Sequence, residues 1–123
     1  MSRTITTHIA DEERNSIAIE VIDEPGPGNA CHVYDINWGP KMSPEQGVTV
    51  NFQHGPLQEA GPNGLTNESL LAVVIDRLEG FQQGKYACEA NAKALTSVKL
   101  ALMNLKIRTT ERISRGVEGS NEQ

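Results

Sequence analysis

The sequence has 123 residues and a formal net charge of −5, with 37% hydrophobic and only 4% aromatic residues. This length suits a single domain with a modest core, and the acidic balance argues against a broad positive surface that wraps DNA or RNA. No stretch is apolar enough to cross a bilayer, and the first residues lack the apolar segment of a signal peptide. We therefore expect one domain, residues 1–123, in the cytoplasm, with neither a nucleic-acid polymer nor a membrane as partner.

Four short segments in the first half of the chain alternate apolar and polar residues, which predicts β-strands. The alternating positions are Ile5, Thr7 and Ile9; Ile17, Ile19 and Val21; Tyr34, Ile36 and Trp38; and Val48, Val50 and Phe52. Proline and glycine separate the later segments at 25–28, 39–40 and 55–56. Residues 1–58 are therefore predicted to form a small antiparallel β-sheet.

The apolar periodicity then changes from 2 to 3.6 residues, which predicts an α-helical hairpin over residues 66–116. Thr66 suits the N-cap of the first helix, and Gly84 suits its C-terminal stop. The second helix is predicted to begin near Ala87 and to end at Arg115-Gly116. The predicted fold class is α+β, a sheet followed by an antiparallel hairpin, and residues 117–123 are expected to form a flexible tail.

Both helices carry more apolar surface than one hairpin partner can cover. The predicted inward residues of the first helix are Leu70, Leu71, Val74, Leu78 and Phe81, and those of the second are Leu95, Val98, Leu102 and Leu105. On a helical wheel, the apolar residues of the first helix cover an arc of roughly 200°, about twice the usual stripe. The sheet, a second copy of the chain, or both are expected to cover the remainder.

Motifs for catalysis are absent from the sequence. His8, His32 and His54 have no metal-ligand spacing, and none is followed two positions later by Ser or Thr. The sequence also lacks a Walker-type phosphate loop and a G-x-S-x-G motif. Cys31 and Cys88 are isolated and are expected to be reduced and partly buried. We expect no enzyme activity, no metal and no cofactor, although a catalytic triad assembled by folding remains an alternative.

Three arginines near the end of the second helix, Arg108, Arg112 and Arg115, recur at spacings of four and three and so share one helix face. Cations in the last turns also offset the helix dipole, which is the simpler explanation. The alternative is that Arg108 and Arg112 form a fork for phosphate oxygens, which suits the planar guanidinium and its permanent charge.

Phe81, Asn91 and Arg77 each have a structural and a functional interpretation. Phe81 suits a core position at the end of the first helix, but an aromatic ring there can also stack on a purine. Asn91 suits a solvated position, but its amide can also contact a base edge or a ribose. Arg77 falls inside the apolar arc, where we expect it to extend to solvent or to pair with an acid.

A series of short motifs follows the second half of the chain at fixed spacings. In chain order they are Phe52-Gln53-His54-Gly55-Pro56, Asn63-Gly64, Leu70-Leu71, Asp76-Arg77-Leu78, Phe81-Gln82, Ala87-Cys88, Asn91, Ala94-Leu95, Arg108-Thr109-Thr110-Glu111-Arg112 and Arg115-Gly116-Val117-Glu118-Gly119. Together they resemble the Thoeris anti-defence protein 1 family of phage signal sponges, whose helical hairpin is shared with the anti-CBASS sponges. The predicted strands resemble the longer anti-Thoeris branch through less distinctive motifs.

The resemblance implies a phage protein of the host bacterial cytoplasm that sequesters cyclic ADP-ribose-type signals, chiefly glycocyclic ADP-ribose and in some relatives cyclic di- or trinucleotides, without cleaving them. Thoeris effectors, and in some cases CBASS effectors, then stay inactive. It implies ligand contacts by Phe81 (base stacking), Asn91 (polar contact), and Arg108 and Arg112 (phosphates). It also implies a homodimer or homohexamer. Ala90 departs from the family pattern, which places a charged residue there and so affects the expected ligand preference.

Spacing gives a reason for a site shared between two chains. Asn91 and Arg108 are 17 positions apart, about 25 Å along a helix, so one small ligand cannot reach both within a protomer. A two-fold antiparallel dimer brings the turn of one hairpin to the arginines of the other. Two alternatives to a sponge remain: a hairpin that docks onto another protein through its apolar arc, and an enzyme that cleaves a cyclic nucleotide.

Overall fold

The computed structural model describes residues 2–116, which form four strands and three helices. The strands are β1 (Arg3–Ile5), β2 (Ile17–Val21), β3 (Val33–Trp38) and β4 (Gly47–Asn51), and the helices are α1 (Leu57–Ala60), α2 (Asn67–Gln82) and α3 (Glu89–Ser114). A boundary between two compact units falls between His54 and Gly55. The predicted α+β class, a sheet followed by a helical hairpin, is confirmed. The expected tail, residues 117–123, lies outside the described residues.

The sheet is fully antiparallel, with strand order β1-β2-β3-β4. Ile19 of β2 lies opposite Ile36 of β3, which in turn lies opposite Val48 of β4. Side chains of paired residues point to the same side of a sheet, so the alternating apolar residues share one face. The first strand is shorter than predicted, because Ile9 lies in a turn in which its N–H donates to the carbonyl of Thr6.

The turn between β2 and β3 is held by Asp23. Its carboxylate accepts hydrogen bonds from the backbone N–H groups of His32 (2.9 and 3.0 Å) and Val33 (3.0 Å). These donors stabilise the charged form and hold the pKa of Asp23 below its ordinary value, and the N–H of Val33 has the largest effect. The His32 ring stacks on the His54 ring with centroids 4.1 Å apart. The buried apolar residues beside this turn are Val21 and Cys31.

Local capping explains where the two long helices begin. Thr66 and Ser69 form a reciprocal capping box at α2, with both hydrogen bonds at 3.1 Å, which confirms Thr66 as the N-cap. The N-cap of α3 is Cys88, whose sulfur accepts from the backbone N–H of Asn91 at 3.4 Å. Cys88 is exposed, contrary to the expected partial burial. Gly116 has φ 75°, the left-handed conformation expected of a glycine after a helix.

The helices α2 and α3 pack as an antiparallel hairpin along one seam. The partly or fully buried seam residues are Glu68, Leu71, Ile75, Leu78 and Gln82 on α2, and Asn91, Leu95, Val98, Leu102, Leu105, Thr109 and Arg112 on α3. Their spacings alternate between three and four residues, as in coiled coils. Two polar contacts set the register: Lys99 Nζ lies 3.1 Å from Glu79 Oε2, and the Thr109 hydroxyl donates to Glu68 Oε2 at 3.1 Å.

The inward face of α2 differs from the sequence prediction. Leu71 and Leu78 are half-buried as expected, whereas Leu70, Val74 and Phe81 are 36, 42 and 40% exposed. One neighbouring helix covers only part of a wide apolar arc, so the rest of that arc faces outwards. The sequence analysis also missed α1, a helix of four residues. Among residues 2–116, no helix combines the length and apolar content needed to cross a bilayer.

Candidate functional site

Phe81 and Asn91 lie at the turn end of the hairpin. Phe81 is in the last turn of α2, and the residue is 40% exposed. Asn91 is in the first turn of α3 and is half-buried. The Gln82 side chain joins these two helix ends, because its Oε1 accepts from the Cys88 N–H at 3.0 Å and its Nε2 donates to the Cys88 carbonyl at 3.2 Å. The turn therefore fixes the helix ends that carry Phe81 and Asn91.

Arg108 and Arg112 lie near the other end of α3 and differ sharply in exposure. Arg108 is exposed, whereas Arg112 is only 7% exposed and is the one buried residue that the structure describes in α3. Arg112 belongs to the seam, one turn after Thr109, while Arg108 lies beside the seam. A buried guanidinium must be held by other groups, so Arg112 acts in the fold as well as in any ligand contact.

The four predicted ligand residues do not meet within one hairpin. The helix α3 has 26 residues, which is about 39 Å of α-helix, and Asn91 and Arg108 lie near its opposite ends. Within one hairpin, the structure brings Phe81 towards Asn91 and Arg108 towards Arg112, but keeps the two pairs apart. Whether they bind a ligand remains a prediction.

Each long helix carries a second apolar stripe that faces outwards. On α2 this outer stripe comprises Leu70, Val74, Arg77 and Phe81, and on α3 it comprises Leu100, Met103 and Ile107, all of them exposed. Their spacings are again three and four residues, the pattern by which a helix contacts another helix. No apolar residue of α2 or α3 is buried in the described structure. The hairpin therefore lacks a buried core of its own.

A groove of about 500 Å³ lies along α3. Its lining residues are Lys99, Leu102, Met103, Lys106, Ile107, Thr110 and Glu111. None of these is a predicted ligand residue, and all belong to one helix, so the groove is an open surface trough. Two of its apolar residues, Met103 and Ile107, belong to the outer stripe of α3.

Arg77 contacts the ring of Phe81, a relationship that the sequence analysis missed. The Arg77 Cζ atom lies 5.7 Å from the ring centroid, within the range of a cation–π interaction. The two residues are one helical turn apart, so the i, i+4 spacing was the available signal. Of the two expectations for Arg77, exposure to solvent is observed, and no ion pair involves it among residues 2–116.

The histidines form no metal site in the part of the chain that is described, where no group of three His, Cys, Asp or Glu side chains is suited to hold an ion. His32 and His54 are brought together by stacking, which their sequence separation does not indicate. The Nδ1 atom of His32 lies 3.4 Å from Asp23 Oδ2, outside hydrogen-bond geometry. This cluster serves as a structural anchor for the β2–β3 turn.

The fold is that of an α+β protein with an antiparallel helical hairpin. The outer stripes of both long helices are exposed, and Arg108 and Arg112 lie far from the turn. The family described as "Acb2/Tad1, hairpin domain" matches residues 44–108, a little over half of the chain. The chain therefore belongs to the Acb2/Tad1 hairpin family. The matched region includes Phe81, Asn91 and Arg108, while Arg112 lies just beyond it.

A similar curated protein is "Thoeris anti-defense 1" of Bacillus phage SBSphiJ7. The two sequences are 53% identical over 76 residues, which is 62% of this chain and 54% of the relative. The match thus spans about half the length of that relative. This likeness agrees with the resemblance inferred from the motifs.

Proposed function

We propose that this chain is a phage anti-defence sponge that binds and sequesters a cyclic ADP-ribose-type signal in the cytoplasm of the host bacterium without cleaving it. Membership of the Acb2/Tad1 hairpin family and the likeness to Thoeris anti-defense 1 support an anti-defence role. Sequestration keeps a Thoeris effector, and by extension a CBASS effector, from meeting its activating nucleotide. Glycocyclic ADP-ribose is the proposed ligand, with cyclic di- or trinucleotides as further candidates.

One observation carries the proposal: the predicted ligand residues lie at opposite ends of a hairpin whose apolar outer stripes are exposed. The outer stripes support an assembly in which a second copy packs against the first, because exposed apolar residues at helical spacing are typical of interfaces. In a two-fold antiparallel dimer, Phe81 and Asn91 of one protomer meet Arg108 and Arg112 of the other. Each dimer then has two equivalent pockets, and a hexamer of three dimers has six.

Each group in the composite pocket has a distinct role. The exposed ring of Phe81 stacks on the base, a contact that contributes about 1–3 kcal/mol. The Asn91 amide supplies a donor and an acceptor for the base edge or the ribose. Arg108 and Arg112 bind the phosphates through charge-assisted hydrogen bonds. No covalent step is required, so binding alone lowers the free signal concentration.

Recovery of the ligand tests this function. The purified protein is mixed with cyclic ADP-ribose isomers and cyclic oligonucleotides, separated from free ligand and denatured by heat, and the released molecules are identified by mass spectrometry. A sponge returns the intact nucleotide in amounts matching the protein, whereas a cleaving enzyme returns product. Absence of any bound nucleotide favours a hairpin that docks onto another protein.

A mixed dimer tests whether the pocket is shared. Phe81→Ala and Arg108→Ala chains are co-expressed with different tags, and the heterodimer is isolated; Arg108 is chosen because it is exposed. A shared site predicts one doubly damaged pocket and one intact pocket per heterodimer. Calorimetry should then recover half the sites at near wild-type affinity. A correctly assembled heterodimer without high-affinity sites contradicts the composite pocket.

A further inference from the structure

We propose that Arg77 is a ligand-binding residue that contacts the anionic group of a nucleotide whose base stacks on Phe81. This inference rests on the proposed function and extends it, since it adds a cation from the turn-side half of the pocket. It starts from the position of Arg77 in the outer stripe of α2, between Val74 and Phe81. Arg77 is the one charged residue of that stripe.

Among residues 2–116, the neighbours of Arg77 supply no counterion for its charge. Side chains three and four positions away are those a helical residue reaches, and for Arg77 these are Val73, Val74, Gly80 and Phe81. None is acidic, and no ion pair is formed by Arg77 within residues 2–116. A guanidinium in an apolar stripe loses water when the stripe is covered, which is unfavourable unless an anion arrives with the covering surface.

The surface around Phe81 suits a flat ligand that carries phosphate. The Arg77 guanidinium lies 5.7 Å from the ring centroid, so a planar cation adjoins the exposed aromatic surface. Gly80, next to them, leaves open space, because a Cβ built there meets no atom within 4 Å. A base on the ring and a phosphate on the guanidinium use both groups at once, since guanidinium geometry matches phosphate oxygens.

The Lys85–Tyr86 pair offers a matched control on the same hairpin. Lys85 Nζ lies 5.3 Å from the centroid of the Tyr86 ring, and both residues are exposed in the turn, outside the outer stripes. Lys85→Met removes the same charge from a similar cation–π pair. Arg77→Met keeps most of the aliphatic stem of the side chain, and methionine has a high helix propensity. Both variants should therefore fold and assemble as the wild type does.

The experiment measures binding of glycocyclic ADP-ribose by calorimetry at two salt concentrations, with light scattering on every sample. Arg77→Met should weaken binding about tenfold to a hundredfold, whereas Lys85→Met should stay within about twofold of the wild type. Arg77→Lys should recover part of the loss, because the charge returns without the planar fork. Added salt should weaken nucleotide binding by the wild type more than binding by Arg77→Met, since the variant makes one charged contact fewer with the ligand.

Three results would overturn the inference. Equal affinities of Arg77→Met and Lys85→Met would show that Arg77 does not touch the ligand. A smaller assembly for Arg77→Met assigns Arg77 to the contact between copies. If the wild type binds no nucleotide at all, the proposed function fails and this inference with it. The wild type is measured alongside the variants, so this failure can be told apart from a failure of the Arg77 inference alone.

Discussion

The side-chain amide of Gln82 forms two hydrogen bonds with the backbone of Cys88. Its Oε1 accepts from the Cys88 N–H at 3.0 Å, and its Nε2 donates to the Cys88 carbonyl at 3.2 Å. These two bonds close the turn between α2 and α3 through one residue. They also hold the start of α3, and with it Asn91, against the end of α2 that carries Phe81. The Gln82–Cys88 hydrogen bonds thus support the position of Phe81 and Asn91 as well as the fold.

Replacing Gln82 should loosen the turn. Gln82→Met keeps the side-chain length but removes both bonds, and we expect the free energy of unfolding to fall by about 1–3 kcal/mol. Gln83→Met is the control, because the exposed Gln83 side chain makes no hydrogen bond within residues 2–116. Urea denaturation followed by circular dichroism measures both. Equal stability of the two variants would show that the Gln82 bonds contribute nothing.

A charge in the outer stripe of α3 should break the assembly. Met103 and Ile107 are 56 and 50% exposed in the described chain, so Met103→Glu or Ile107→Glu should leave the hairpin folded while preventing a second copy from packing. Light scattering at low micromolar concentration should report one chain, 13.4 kDa, against two or more for the wild type. Ala101→Glu, at an exposed position of α3 that is not three or four residues from any member of the stripe, should keep the wild-type mass. A wild-type monomer that binds nucleotide tightly contradicts the composite pocket.

Substitutions at Arg108 and Arg112 should differ in their effect on the free energy of unfolding while both weaken nucleotide binding. Arg108→Ala should weaken nucleotide binding about tenfold to a hundredfold and change the free energy of unfolding by less than about 0.5 kcal/mol, as at other exposed positions. Arg112→Ala should weaken binding and also lower that free energy by about 1–3 kcal/mol, because Arg112 is 7% exposed. Calorimetry and thermal unfolding give the two quantities. An Arg112→Ala protein of wild-type stability would show that its burial does not support the fold.

Asp23 should make the stability of the sheet depend on acid pH. Hydrogen bonds from the backbone of Val33 and His32 lower the pKa of Asp23 in the folded state, so the unfolded chain binds the proton first as pH falls below roughly 4. This contribution is present above that pH and is lost as the pH falls through the folded pKa. Asp23→Asn should therefore be less stable at pH 7 and lose less stability on acidification.

Denaturant midpoints measured between pH 7 and pH 2.5 check this pH dependence. Glu24→Gln, the neighbouring exposed carboxyl group, provides the control and should follow the wild-type curve. A wild-type curve parallel to that of Asp23→Asn over the whole range would show that the hydrogen bonds from His32 and Val33 do not stabilise the charged carboxylate.

The sequence predicts the elements of this protein well where local chemistry decides them. Alternation in Ile17–Val21 gave a strand with the observed bounds, because a half-buried strand requires apolar residues at every second position. Thr66 and Gly116 mark helix ends that the structure confirms, because unpaired backbone groups and a left-handed residue restrict the side chains there. The four-residue helix Leu57–Ala60 is too short to produce a periodic signal and was missed.

Contacts between distant residues required the tertiary structure. The stacking of His32 on His54 joins residues 22 positions apart, and no periodic pattern relates them. The ligand residues were placed by resemblance and spacing, which gave their residue types and the distance along α3. The cation–π contact of Arg77 had a readable i, i+4 spacing, but only the placed side chains showed that no acid pairs with Arg77 in the described part of the chain.

The arginine pair shows most clearly where the sequence stops being sufficient. The sequence alone determined that Arg108 and Arg112 lie four positions apart on one helix, because 3.6 residues per turn fixes the angle between side chains. It did not determine which of them faces α2. The rotation of the whole helix about its axis decides which residues enter the seam, and the structure places Arg112 in the seam and Arg108 beside it. That rotation depends on which apolar residues the partner helix covers, and only the assembled hairpin fixes it.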